Sequence, residues 1–263
     1  VIARGRTRQI AMWSGPRNLS TSMMDAFAAR GDCAVWDEPF YAAYLSRTGL
    51  EHPMRGDILA AGEVDGQAVA DRCLGVIPKK QRLFYQKHMC QHMIQGMLRD
   101  WMRQVQNVFL IRHPARVLAS FAKKYEEPGL ADLGFAQQTD LFEQVADDLG
   151  APPPVIDSYD IRQSPRDMLQ TLCLALGIVW TDKMLGWPAG GHPNDGVWAA
   201  HWYGAVHRST GFAGAEGPLP KLSGRYAEMV EEALPYYALI NANSLSADGS
   251  ASQSDADAAR SAG

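Results

Sequence analysis

Residues 9–22 read QIAMWSGPRNLSTS, and this stretch decides the fold. Its opening, QIAMW, is a short apolar run of strand length, and residues 14–16 break that run with SGP. The next apolar residues follow at intervals of four, which is the spacing of one helix face: Leu19, Met23 and Phe27. We expect Asn18 or Ser20 to cap this helix and Gly31 to end it. The chain therefore opens on a strand–turn–helix unit.

The same alternation of strand and helix patterns returns along the chain. Short apolar runs predict four further strands, at residues 33–36, 83–85, 108–111 and 155–156. Helical spacing of apolar residues predicts helices at residues 94–105, 117–121 and 168–176. Repeated units of this kind predict a three-layer α/β fold, with a mostly parallel central sheet and helices on both faces. Ligands bind such sheets at the carboxyl ends of the strands, so the loops after the strands are the candidate site.

The composition is that of an ordinary globular protein. The chain has 263 residues, of which 46% are hydrophobic and 21% charged, and its formal net charge is −4. This charge argues against general nucleic-acid binding, and no apolar run approaches the roughly 20 residues that a membrane span needs. The four scattered cysteines include no CxxC pair and are expected to be reduced thiols. These features predict a soluble, cytoplasmic protein, and they leave its oligomeric state open.

The two ends of the chain differ from its middle. Residues 1–9 are basic but lack the apolar stretch of a secretion signal. Residues 243–263 are mostly Ala, Ser, Asp and Gly, and such a segment buries too little apolar surface to order itself. We therefore predict one domain over residues 1–242, followed by a disordered tail.

The loop after the first predicted strand has the chemistry of an anion site. Its backbone N–H groups and the positive end of the following helix favour a phosphate or sulfate. An arginine adds fixed charge, and hydroxyls add donors. The candidate binding residues are Ser14, Gly15, Pro16, Arg17, Asn18, Ser20 and Thr21. The loop is not a Walker A motif, because GxxxxGK[ST] is absent, and by itself it also fits an ordinary strand–helix turn.

A second anion site is predicted after the fourth strand. Arg112 ends that strand, and Ser120 follows eight positions later on the next helix. An arginine and a hydroxyl facing one crevice suit a second, separate phosphate. Taken alone, the pair also fits a surface arginine beside an ordinary helical serine.

The two loops together resemble those of the sulfotransferases that use PAPS (3′-phosphoadenosine 5′-phosphosulfate). In that family a Ser/Thr/Gly-rich loop with a basic residue holds the 5′-phosphosulfate, and an Arg…Ser pair holds the 3′-phosphate. Asp37-Glu38-Pro39-Phe40 is similar to the family's Glu-Pro after the second strand, and residues 157–177 are similar to its Tyr-Glu-Asp-Leu…Phe-Leu-Gly segment. The resemblance covers residues 8–177 and implies a P-loop-like fold, PAPS as donor and PAP as product, with no metal.

The resemblance also has departures. The first loop carries Arg17 where cytosolic members usually have lysine, and the family's C-terminal Arg-Lys-Gly loop is missing. Residues 198–212 are our candidate replacement, with Arg208 as a nucleotide contact. The family's acceptor is expected to be a small molecule, and three loops are expected to select it: residues 40–53, 128–139 and 187–212. Within them, Trp202 and Tyr203 are expected in the core or the pocket wall.

Sulfuryl transfer needs a base for the acceptor proton, and two residues are candidates. Glu38 follows the second strand and matches the family's Glu-Pro, whereas His88 ends the third and resembles its Lys-x-His. Histidine titrates near neutral pH, whereas glutamate needs its pKa raised by burial or by a like charge. We prefer Glu38 and leave His88 open, and we expect Lys87 to carry charge on the leaving oxygen.

Two other functions remain compatible with this fold. A small-molecule kinase using ATP would need a Walker A lysine and a magnesium-binding carboxylate, and the Arg112…Ser120 pair has no use with a nucleotide that lacks a 3′-phosphate. A non-catalytic module that binds PAPS or PAP needs neither Glu38 nor the Lys87–His88 pair. His88 and His92 have the spacing of metal ligands, but no second ligand pair accompanies them.

Overall fold

Five parallel strands form the centre of the protein. They are β1 (Arg8–Ser14), β2 (Cys33–Asp37), β3 (Leu83–Met89), β4 (Gln106–Ile111) and β5 (Val155–Asp157). Their order across the sheet is β2-β3-β1-β4-β5, and every neighbouring pair is parallel. The computed structural model describes residues 8–77, 81–121 and 128–247. Because parallel neighbours need crossover connections, helices cover the sheet.

The described helices alternate with the strands. The first four are α1 (Ser20–Ala29), α2 (Tyr41–Thr48), α3 (Arg55–Ala61) and α4 (Gly66–Cys73). The next four are α5 (Pro114–Phe121), α6 (Leu130–Leu133), α7 (Phe135–Leu149) and α8 (Ser158–Gln163). The last three are α9 (Pro165–Ala175), α10 (Ala199–Trp202) and α11 (Arg225–Asn241). Short 3₁₀ turns occupy Cys90–His92, Asp100–Gln104 and Asp182–Leu185.

The central strand shows how the two faces of the sheet become two cores. Side chains alternate across a strand, so Ile10 and Met12 face one side while Ala11 and Trp13 face the other. The first pair packs with residues of α1, α8 and α9, and the second pair packs with residues of α2, α3, α4 and α7. All four side chains are fully buried. The predicted three-layer α/β fold is therefore confirmed.

One predicted helix is absent. Residues 94–105 form no α-helix but lie between and within the 3₁₀ turns that follow β3. Gly96 has a φ of 83°, outside the range of an α-helix, and Arg47 donates a 2.8 Å hydrogen bond to its carbonyl oxygen. Trp101 and Val105 are buried at a helical spacing, and this spacing predicted a helix. The segment that carries them is irregular.

The predicted caps of α1 are half right. Gly31 follows the last turn with a φ of 81°, a conformation that favours glycine, and its N–H donates to the Ala28 carbonyl oxygen. At the other end, neither Asn18 nor Ser20 caps the helix. The residue at the cap position is Leu19, and the Asn18 amide instead donates to the Leu110 carbonyl oxygen at 3.2 Å.

The packed chain extends slightly beyond the predicted boundary at residue 242. Ser244 forms a bridge with Val155 of β5, and the Leu245 N–H donates to the Val155 carbonyl oxygen at 2.9 Å. The rest of the predicted tail, from residue 248, lies outside the described residues. In the part of the chain that the structure describes, none of the helices has the length and apolarity to cross a membrane.

A buried carboxyl on α1 gives the fold a pH dependence. Burial and the charges of Asp195 and Asp37 raise the pKa of Asp25, the charges of His207 and Lys87 lower it, and the net pKa is about 7. Between pH 4 and pH 7 the folded state therefore binds more protons at Asp25 than the unfolded state does. Stability from this group is consequently lost as the pH rises through that window.

We predict that Asp25→Asn removes this loss. The variant should gain stability relative to the parent at pH 8 compared with pH 4.5, by on the order of 1–3 kcal/mol. Urea unfolding at both pH values measures this, with Asp147→Asn on the exposed end of α7 as the control. An equal effect of Asp25→Asn at the two pH values would contradict the assignment.

Candidate active site

A cavity of about 290 Å³ opens at the carboxyl ends of β1, β3 and β4. The three chain regions expected to select the acceptor all contribute to its wall. Residues of the first loop, residues at or just after the ends of β2, β3 and β4, and Ser120 of α5 complete it. The lining consists of residues 16–22, Glu38, Tyr41, Tyr44, His52, Lys87, Met89, Gln91, His92, Arg112, Ser120, Ala131, Asp132, Trp202, Tyr203, Ala205 and Val206.

The first loop presents the N-terminus of α1 to this cavity. Arg17 and Leu19 have φ values of 61° and 70°, so two non-glycine residues adopt the left-handed conformation within three positions. Such a turn together with a helix start directs backbone N–H groups toward an anion. Of the seven predicted loop residues, Pro16, Arg17, Asn18, Ser20 and Thr21 line the cavity.

The other two predicted loop residues lie beneath the cavity. Ser14 is fully buried, and its hydroxyl is 3.9 Å from the Met89 sulfur. At Gly15, a Cβ would stand 2.7 Å from the Leu133 carbonyl oxygen, so no side chain fits there without a backbone shift. These residues shape the turn and do not line the cavity.

The two predicted anion sites meet in this cavity. Arg17 Nε donates a 3.0 Å hydrogen bond to Ser120 Oγ, and Arg112 Nη1 donates a 2.6 Å hydrogen bond to the Arg17 carbonyl oxygen. Residues more than 90 positions apart in sequence are thus in direct contact. One end of the cavity consequently carries two guanidinium groups and a helix N-terminus.

A buried ammonium group forms the floor of the cavity. Lys87 Nζ donates to Asp37 Oδ1 at 2.8 Å, to Glu38 Oε1 at 2.6 Å and to the Tyr203 hydroxyl at 2.6 Å. Burial alone would lower the pKa of Lys87, but the charges of Asp37 and Glu38 more than offset this and raise it. The sequence predicts that Lys87 carries charge on the leaving oxygen. All three of its N–H donors are instead taken by Asp37, Glu38 and Tyr203.

Glu38 holds its carboxylate at the cavity through a strained backbone. Its φ is 40°, which is unusual for a residue with a side chain. Its N–H donates to the Lys87 carbonyl oxygen at 2.9 Å, and its carbonyl oxygen accepts from the Tyr41 N–H at 3.0 Å. The neighbouring strand and α2 therefore fix the conformation from both sides.

His88 lies outside the cavity lining, which corrects our second candidate for the base. Its ring stacks on Trp13 with 4.5 Å between centroids, and it is bonded to Gln86 Oε1 at 3.2 Å. Burial, together with the charges of His92 and Lys87, lowers the pKa of His88 to about 3. Adjacent residues of a strand face opposite sides, and Lys87 takes the side that reaches the cavity.

Aromatic and imidazole rings form the other end of the cavity. His92 stacks on Tyr41 and Tyr44, with centroid distances of 4.6 and 4.9 Å. The Tyr41 hydroxyl is 2.9 Å from His52 Nδ1, and His92 Nε2 is 3.9 Å from Glu38 Oε2. Burial lowers the pKa of both histidines, so the rings are neutral. Among the described residues, no arginine lines this end.

Residues 198–212 contribute aromatic side chains to the cavity but not the predicted arginine. Trp202 and Tyr203 line the cavity as predicted, but Arg208 is exposed and is not part of the lining. Sequence reasoning missed Asp37, Tyr203 as a partner of Lys87, and His92. Only Asp37 had a usable signal, since it stands beside Glu38 at the end of a predicted strand. Within the described residues, no cluster of three or more His, Cys, Asp or Glu could hold a metal ion.

Comparison with known proteins agrees with this geometry. The sequence model of the sulfotransferase domain family matches residues 8–244. The chain belongs to the sulfotransferase domain family. The sulfotransferase domain from the curacin biosynthetic pathway has the same fold, with a TM-score of 0.51 and 16% identity over 88% of this chain and 99% of that one. The family resemblance read from the sequence is confirmed.

Two curated plant proteins are also similar to the chain. Branched-chain-amino-acid aminotransferase-like proteins 1 and 2 of Arabidopsis thaliana are 36% and 34% identical over 235 and 232 residues. Those alignments cover 89% and 88% of this chain but 42% and 41% of the relatives. The chain therefore spans less than half the length of these relatives, and their names describe the longer proteins.

We predict that Lys87→Met destabilises the fold by about 3–5 kcal/mol, because it leaves two carboxylates buried without their cation. Urea unfolding at pH 7 measures the loss. The control is Lys221→Met, which removes an exposed lysine from the irregular segment before α11. A loss below about 1 kcal/mol would show that Asp37 and Glu38 do not depend on Lys87.

Proposed function

We propose that this protein transfers the sulfuryl group of PAPS to a hydroxyl or amine of a small acceptor. One observation carries the proposal: a single cavity contains the Arg17 loop, the Arg112–Ser120 pair and the carboxylate of Glu38. The family relationship supports the sulfuryl transfer. Two arginines from different loops, Arg17 and Arg112, support a donor that carries phosphates at two positions.

The residues present suit such a donor. Arg17 and the N-terminus of α1 would hold the phosphosulfate, because both favour the negative charge that builds on the leaving phosphate. Arg112 and Ser120 would hold the second phosphate of the nucleotide. The terminal nitrogens of Arg17 form no hydrogen bond with the described residues. They are therefore available to a bound anion.

Glu38 is positioned to accept the acceptor's proton. In an in-line transfer the acceptor oxygen or nitrogen forms a bond to sulfur as the bond from sulfur to the phosphate oxygen breaks. The electron pair leaves on that phosphate oxygen, and the acceptor proton goes to Glu38. Once Glu38 is neutral, Lys87 still keeps Asp37 as its counter-ion at 2.8 Å. The site thus takes up one proton without leaving a buried cation unpaired.

The acceptor end of the cavity favours a flat or ring-containing group. Its wall contains stacked Tyr and His side chains, and Trp202 and the carboxylates of Glu38 and Asp132 lie in the same lining. Such a wall contacts a ring over a large area. We therefore propose a small aromatic or cyclic alcohol or amine as the acceptor.

Binding of PAP tests the donor. We predict that PAP raises the melting temperature more than ADP does, because only PAP has a 3′-phosphate for Arg112 and Ser120. Arg112→Ala should weaken PAP binding by tenfold or more and change ADP binding little. Arg208→Ala serves as the control and should leave both affinities unchanged.

Three outcomes separate the candidate functions. Stronger stabilisation by PAP, with transfer from radiolabelled PAPS to a pool of phenols, alcohols, amines and sugars, supports the sulfotransferase. PAP binding without transfer to any acceptor would favour a binding module. Turnover of ATP with equal affinity for PAP and ADP would favour a kinase.

The base is tested by Glu38→Gln, which keeps the size of the side chain and removes its basicity. With an acceptor identified from the pool, kcat should fall by about a hundredfold or more while PAP affinity stays within a factor of about three. The matched control is Glu228→Gln on the exposed face of α11. A loss of kcat below tenfold would remove Glu38 from the mechanism.

A further inference from the structure

A cluster of arginines surrounds one carboxylate beside the cavity. Arg112, Arg116 and Arg162 all form ion pairs with Glu216. Arg116 Nε is 3.2 Å from Glu216 Oε2, and Arg162 Nη1 is 2.5 Å from Oε1. The Glu216 side chain is only 6% exposed. Arg112 lines the cavity and Glu216 does not, so the carboxylate sits behind the predicted phosphate contact.

The charges of this cluster are not balanced by Glu216. Three guanidinium groups face one carboxylate, which leaves an excess of positive charge around a buried anion. Burial lowers the pKa of Arg112, and its arginine neighbours lower it further against the effect of Glu216. A phosphate monoester carries nearly two negative charges and three acceptor oxygens, so it matches three arginines better than one carboxylate does.

Two of the three guanidinium nitrogens of Arg112 donate to protein groups. Its Nη1 donates to the Arg17 carbonyl oxygen, and its Nη2 donates to Glu216. Its Nε is buried and has no hydrogen-bond partner among the described residues. Buried donors are nearly always paired in folded proteins, so this N–H indicates a missing acceptor. A phosphate that takes two hydrogen bonds from Arg112 has to compete with Glu216.

The segment that carries Glu216 is held mainly by the same arginines. Residues 213–219, which we call the strap, have no regular secondary structure, and all except Glu216 are exposed. Arg162 Nη2 donates to the Gly214 carbonyl oxygen at 2.6 Å, and Arg116 Nη2 donates to the Gly217 carbonyl oxygen at 2.6 Å. A segment with few buried apolar contacts opens at low free-energy cost.

We propose that Arg112, Arg116 and Arg162 form a site for a phosphate monoester dianion, and that Glu216 is an internal competitor for it. The phosphate displaces Glu216 and releases the strap. A ligand that bears only a hydroxyl at this position does not displace it. Glu216 thereby sets how tightly the proposed nucleotide site holds the second phosphate, and the inference rests on that proposed function for the identity of the ligand.

Calorimetric titration of the full chain with PAP and ADP tests the competitor role. Glu216→Gln should bind PAP about tenfold more tightly than the parent, because the competing charge is gone, and its ADP affinity should change by less than threefold. The control is Glu231→Gln, an exposed residue of α11. Unchanged or weaker PAP binding in Glu216→Gln would show that Glu216 positions the arginines, and would overturn the proposal.

Inorganic phosphate and pyrophosphate separate this inference from the proposed function. If PAP and ADP bind alike, PAPS is not the donor. The competitor role is then tested by the change in melting temperature that these two ions cause. A larger rise in melting temperature with phosphate in Glu216→Gln than in the parent supports it, and an equal or smaller rise overturns it. Should Glu216→Gln not fold, hydrogen exchange of residues 213–219 in the parent decides. Faster exchange with PAP supports displacement, and unchanged or slower exchange overturns it.

Discussion

A buried ammonium group is the constraint around which the site is organised. Lys87 is only 1% exposed, and an isolated charge at such a position would cost several kcal/mol. Asp37 and Glu38 at the end of β2 and Tyr203 from a distant segment satisfy its three donors. The network therefore ties two strands to the region that follows α10. It also fixes a carboxylate at the cavity, although the Glu38 backbone is strained there.

The fold could be predicted because its determinants are local. Apart from the edge strand β2, in which alternate residues are half-buried, the strands are buried along most of their length. All five read as short apolar runs followed by loops, which is why the sequence predicted them. The residues within the loops after β1 and β4 predict an anion site in each loop. Their meeting followed from topology, since β1 and β4 are neighbours and their carboxyl ends lie on the same edge of the sheet.

The rest of the site depends on contacts that no local pattern encodes. Tyr203 reaches Lys87 across 116 positions, and Glu216 reaches Arg112 across 104. His88 was a candidate base by composition, but a one-residue step along β3 directs it into the aromatic core instead of the cavity. The prediction of a helix at residues 94–105 was wrong for a similar reason. Apolar residues in an irregular segment can be buried at the same spacing as those on a helix face.

The pairing of β1 with β4 has a consequence for which molecules fit. Ser14 is in register with Leu110, two residues before Arg112, and both strands belong to one hydrogen-bonded ladder. The two cationic loops therefore begin at fixed relative positions in the sheet. Under the proposed function, this register sets how far apart the two charged groups of the donor lie.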